Sequence, residues 1–134
     1  MKHLLIAGTI VLALATSRPV QAAPVVFDYT GSLVTSTVPA SGLYQILAFG
    51  AQGGNLELNP GVITPGGLGA EIGGDFSLIA GEILSVAVGG RGKDGAGAGG
   101  GGSFVVGPGN VPLVIAGGGG GASESVALHP AKAA

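Results

Sequence analysis

Beyond residue 24, apolar and polar positions alternate along most of the chain with a period of two. In residues 25–29, Val25, Phe27 and Tyr29 share one face, which predicts a first strand closed by a turn at Thr30-Gly31-Ser32. Residues 33–38 are β-branched and polar by turns and stop at Pro39, as expected of a short edge strand. Residues 43–49 are almost wholly apolar and bracketed by Gly42 and Gly50; seven residues are short for a helix, and the run reads as a strand covered on both faces. Residues 51–69, with Pro60, Pro65 and several turn dipeptides, read as a long loop. Alternation returns at 70–78, where Ala70, Ile72, Gly74, Phe76 and Leu78 fall on one face, and a turn at Ala80-Gly81 predicts a hairpin with 82–88. Two further strands are expected at 104–106 and 111–116. No segment sustains a 3.6-residue period, so the fold class is all-β.

Glycine changes this picture. Of 29 glycines, most of those between 89 and 121 form two tracts, and apolar strands deliver into glycine three times, at Phe49-Gly50, Val88-Gly89 and Ala116-Gly117. The irregular spacing excludes a solenoid and suggests neighbouring strands that emit glycine segments from one end of a domain. Polyglycine also serves as flexible linker. Tracts pinned by strands at their ends lose less entropy on ordering, however, and can lie as polyproline-II-like helices touching backbone to backbone.

The first 22 residues have the form of a leader: a basic start, an apolar run at 4–16, a break at Pro19 and a small-residue site at Val20-Gln21-Ala22, placing the cut between Ala22 and Ala23. A helix over that apolar run reaches about 20 Å, short of a bilayer core, which disfavours an anchor. The expected destination is outside the cell or on its surface, with the periplasm also open. No cysteine is present, so no disulfide is available. The chain after the leader carries three basic against seven acidic residues, a formal −4, which offers no basic footprint for nucleic acid.

The order of motifs resembles the glycine-rich domain family found in secreted bacterial proteins and in the ectodomains of the anaplastic lymphoma kinase and leukocyte tyrosine kinase receptors. The residues carrying the resemblance are Phe27-Asp28-Tyr29-Thr30-Gly31, Gly42-Leu43-Tyr44-Gln45-Ile46, Phe49-Gly50-Ala51-Gln52-Gly53-Gly54, Gly67-Leu68-Gly69-Ala70, Val88-Gly89-Gly90 and Ile115 to Gly121. The resemblance implies a tumour-necrosis-factor-like β-sandwich carrying a bundle of glycine helices, over residues 23–122. Family members usually continue into more glycine and a closing strand, whereas here 123–134 reads as a disordered tail, leaving open a sandwich incomplete at its C-terminal edge.

Candidate chemistry is sparse. Gly90-Arg91-Gly92-Lys93-Asp94-Gly95 fits G-x-G-x-x-G but is followed by an Ala-Gly repeat rather than a helix, so no nucleotide site is expected. The same residues open a calcium nonapeptide, but in a single copy, with Ala96 where a large aliphatic belongs. His129 is the sole histidine after the leader and lies in the tail, which argues against a catalytic triad or zinc site. Glu71 and Asp75 would lie about 13 Å apart along a strand, beyond glycosidase spacing. Tyr29, Tyr44, Phe27, Phe49, Phe76 and Phe104 all read as core or sheet-packing residues, with no exposed stacking platform. The expectation is therefore a secreted, non-catalytic binding or adhesive module for an extracellular protein or glycan, with no catalytic, cofactor or metal residues and no membrane span after leader removal. A self-associating matrix or coat protein is the alternative, and a small hydrolase the remote one.

Overall fold

The computed structural model describes residues 23–124. The leader assigned to residues 1–22, His129 and residues 125–134 of the tail lie outside them. The described residues form eight strands and no α-helix: β1 (Val34–Thr37), β2 (Gly42–Phe49), β3 (Leu56–Asn59), β4 (Val62–Thr64), β5 (Glu71–Leu78), β6 (Ile83–Ala87), β7 (Ser103–Gly107) and β8 (Val111–Ala116). One 3-10 turn, Pro108–Asn110, joins β7 to β8, with Gly109 and Asn110 in the left-handed region.

Strands β1, β6, β7 and β8 form one antiparallel sheet in that order, β2 pairs with β5, and β3 pairs with β4. The two larger units share one core: Tyr44, Ile46, Ala48 and Leu78 from β2 and β5 meet Leu84, Val86, Val105, Val114 and Ala116 from the four-stranded sheet, with Val38 beside them. Inward residues fall at every second position of β2 and β6, as a pleated strand requires. Within this core the Tyr44 hydroxyl donates to the Ala40 carbonyl at 2.6 Å, so the buried phenol is satisfied.

Four expectations need correction. Residues 25–29 form no strand: Val25 and Asp28 make isolated bridges, only Phe27 packs against the core, and Tyr29 is 59% exposed. Tyr29 instead lies over Gly90, where a Cβ would come within 2.8 Å of its ring. Residues 51–69 contain the β3–β4 hairpin, turned at Pro60-Gly61 with Gly61 at φ +89°. β2 is covered fully on one face only, Leu43 on the other being 46% exposed.

Strands β5 and β6 do not form a hairpin with each other. The chain crosses from one sheet to the other at residues 79–82, and it makes the same crossing at 38–41 between β1 and β2. The two crossings bond to each other, Gly81 N–H to the Val38 carbonyl and Val38 N–H to the Glu82 carbonyl, both at 2.8 Å. Gly81 takes φ +88°, and the Glu82 carboxylate accepts the Ile79 amide. Period-two alternation is identical for a hairpin and for such an arch, so the sequence pattern carried no information about the pairing.

At one end of the sheets five glycine-rich segments run side by side: 50–55, 66–70, 89–95, 97–102 and 117–122. Their hydrogen bonds recur every third residue. Gly50 and Gly53 donate to the carbonyls of Ala70 and Gly67, Ala51 and Gly54 to those of Gly101 and Ala98, and Gly92 and Gly95 to those of Gln52 and Asn55. The ascending partners of the last pair make segment 89–95 parallel to 50–55. Gly119 and Ala122, donating to Ala51 and Gly54, make 117–122 parallel to it as well. The three segments launched by β2, β6 and β8 thus run one way, with 66–70 and 97–102 returning against them.

Candidate functional site

At Phe49-Gly50 and Val88-Gly89 a bulky residue is followed directly by one with no side chain, and that step in size creates a concavity. Phe49 closes β2 and packs against the core; Gly50 follows, so close to Gly117 that a side chain there would strike its carbonyl. Beside it, Gly69 touches Gly50 and Gly89 touches Gly101 in the same manner. Backbone that approaches this closely leaves a glycine-floored cleft of about 700 Å³, bounded by Tyr29, Phe49, Leu68, Glu71 and Arg91. That volume lies in the range of small-molecule sites.

The walls have distinct chemistry. The Tyr29 ring packs against the Gly90 main chain and is 59% exposed. Its hydroxyl and the Glu71 carboxylate make no hydrogen bond among the described residues. Leu68, 81% exposed, stands alone in Gly66-Gly67-Leu68-Gly69. Arg91 reaches back to Asp94, Nη2 to Oδ1 at 3.2 Å, and both side chains are about half exposed, so this pair orients more than it stabilises. Asp94 Oδ1 also accepts the Asn55 amide at 2.8 Å, which ties the 94–97 turn to the bundle. Five N–H donors belong to a guanidinium, and Asp94 engages one edge of it. A second groove, of about 330 Å³, continues past Tyr29 along Ser32, Leu33, Val88 and Phe104.

Two residues read as core are therefore surface residues: Tyr29, and Phe104 at 37% exposure. The platform that the sequence did not reveal is Tyr29. No sequence signal marked it, because the period-two spacing of residues 25–29 is the same whether or not they pair in a sheet.

Of the motifs weighed in the sequence, Gly90–Gly95 leads into a turn at 94–97 rather than a helix, and the amides of Gly92 and Gly95 point into the bundle at Gln52 and Asn55. Asp94 is used as a main-chain acceptor. Among the described residues no three ligand-type side chains converge as a metal site would need. Glu71 and Asp75 both sit on β5, opposite Phe49 and Gln45, and only Glu71 borders the cleft. Comparison of the chain with protein-family models, with curated proteins and with solved structures returns no match. Among the described residues no helix is long and apolar enough to cross a membrane.

Proposed function

We propose that this chain is a secreted, non-catalytic binding module: a tumour-necrosis-factor-like β-sandwich whose polyproline-II-like glycine bundle presents the Tyr29 cleft to an extracellular protein or glycan. The observation that carries this reading is the cleft itself, where an exposed aromatic ring, a carboxylate with no partner among the described residues and a partly engaged guanidinium line one glycine-floored space. The bundle assignment rests on hydrogen bonds recurring every third residue and on tract glycines that, apart from Gly95 and Gly97 at the 94–97 turn, avoid positive φ. The sandwich assignment rests on one core shared by two sheets. Export follows from the leader-like first 22 residues.

The test is retention of the labelled chain, from Ala23 onward, on the envelope fractions of the producing cell. Leu68→Arg places a charge on the exposed rim and is expected to release the protein without altering its melting temperature. Failure of the unsubstituted chain to bind any fraction would overturn the reading.

A second reading, self-association into a matrix or coat, is favoured by one apolar row. Ala87, Phe104 and Ile115 are cross-strand partners on the face away from the core, Leu33 borders the same groove, and Ile115 and Leu33 are exposed by about 60%. Light scattering across a concentration series tests it: a monomer throughout ends that reading.

A further inference from the structure

The Tyr29 cleft carries more than the statement that something binds there. An aromatic ring packed beside main chain and more than half exposed offers its negative π surface to weakly positive C–H groups. A pyranose ring presents such C–H groups on one face and hydroxyls around its edge. Hydroxyls donate and accept at once, so a site that holds them needs an acceptor and a donor fork together. Glu71 and Arg91 supply these on the same cleft, and no ion pair within 4.0 Å joins them to each other. Phe49 and Leu68 also line the cleft, and their apolar side chains suit a methyl group and offer nothing to a hydroxyl. The formal −4 of the chain after residue 22 disfavours a polyanion.

From this geometry we infer that the cleft binds a neutral glycan built of N-acetylated amino sugars, and the inference rests on the binding-module reading above. One sugar stacks on Tyr29 with its acetamido methyl against Phe49 and Leu68 and its polar edge between Glu71 and Arg91. The neighbouring unit runs past Tyr29 into the second groove, towards Phe104. Two grooves sharing one aromatic wall specify a chain of sugars rather than a monosaccharide.

Titration calorimetry of the chain from Ala23 onward with triacetylchitotriose tests the inference, with cellotriose as the ligand of like shape that lacks acetamido groups. Saturable binding of triacetylchitotriose, weakened about tenfold or more by Tyr29→Ala and less by Tyr29→Phe, is expected, since stacking dominates over the hydroxyl. Arg91→Lys removes the planar fork and weakens binding, whereas Ile115→Ala, on the outer apolar row, leaves it unchanged. Circular dichroism of each variant confirms the fold, which exposed positions leave intact. Equal affinity for cellotriose overturns the acetamido assignment, and indifference to Tyr29→Ala overturns the site. A chain that holds an envelope fraction only through protease-sensitive material, and takes up no triacetylchitotriose, overturns the glycan while the binding module stands. A chain that holds no fraction at all fails the module as well.

Discussion

Buried Gly53 and exposed Gly120 lie against each other where segments 50–55 and 117–122 meet, and a methyl group on each is expected to have opposite effects. A Cβ on Gly53 would strike the Gly120 carbonyl and come within 2.8 Å of the Gly121 nitrogen, whereas a Cβ on Gly120 meets nothing within 4 Å. Neither residue has a positive φ, so conformation does not separate them. To admit the methyl at 53, segment 117–122 must move off segment 50–55 by more than an ångström. That displacement breaks the bonds from Gly119 to Ala51 and from Ala122 to Gly54, now 2.8 and 3.0 Å. Two amides left without partners cost about 1–3 kcal/mol each. Against this, alanine narrows the unfolded ensemble by only about 0.4–1 kcal/mol. Gly53→Ala should therefore destabilise by roughly 3 kcal/mol, a large share of the roughly 5–15 kcal/mol that holds a domain folded. At about 4–8 °C per kcal/mol for a domain of this size, its melting temperature falls by about 12–24 °C. Gly120→Ala should melt at or slightly above the unsubstituted chain. Thermal and urea unfolding of the two variants decide the matter, and stabilities within about 0.5 kcal/mol of each other would refute packing by direct main-chain contact.

Burial raises the Tyr44 phenol above its ordinary 10.0, against a smaller opposing effect of its bond to Ala40. The folded chain then keeps a proton that the unfolded chain has released, so stability is lost as pH rises above about 10. Urea midpoints at about pH 8 and about pH 11 should separate for the native chain, and Tyr44→Phe should lessen that separation while costing about 1 kcal/mol for the lost hydrogen bond. Ser103 is fully buried and its Oγ accepts the Gly89 amide at 2.9 Å, at the point where β6 passes into glycine. Ser103→Ala strands that amide and should lower stability by about 1–3 kcal/mol, measured by urea unfolding. The double variant Phe104→Thr, Ile115→Thr removes the centre of the outer apolar row. It should leave the melting temperature within a few degrees and abolish any growth of light scattering with concentration.

Apolar runs bounded by glycine, proline and turns, with alternation in β1, β5 and β6, located β1, β2, β5, β6, β7 and β8 to within a residue or two, and all of these but β1 contribute to the common core. The hairpin β3–β4 escaped because its strands are four and three residues long and flanked by glycine on both sides, so the alternation in Leu56-Glu57-Leu58-Asn59 sank into the composition around it. Pairing was not legible at all. Whether β5 turns onto β6 or arches to the facing sheet depends on the bonds between residues 38 and 82, more than forty positions apart, and no local pattern reports them. Tyr29 was misplaced for a related reason: spacing assigned it to a face, but residues 25–29 have only isolated bridges to hold them in a sheet.

The site follows from the glycine bundle by exclusion. Where segments touch main chain to main chain, side chains can exist only at positions facing outward, and in a period-three lattice these are few. Segment 66–70 offers Leu68 and the small Ala70, segment 50–55 offers Gln52 and Asn55 with the small Ala51 buried, and segment 89–95 offers Arg91, Lys93 and Asp94. Gln52 is spent on the Gly66 carbonyl at 3.1 Å, and Asn55 and Asp94 on main-chain amides. What remains beside β2 and β5 is Leu68 and Arg91, joined by Glu71 from β5 and by Tyr29, which Gly90 alone admits to its position. On the proposed binding role, a scaffold so poor in side chains leaves specificity to these four residues together with Phe49. Their substitution should change what is bound while the bundle, held by main-chain bonds, stays intact; glycine substitutions in its interior should do the reverse.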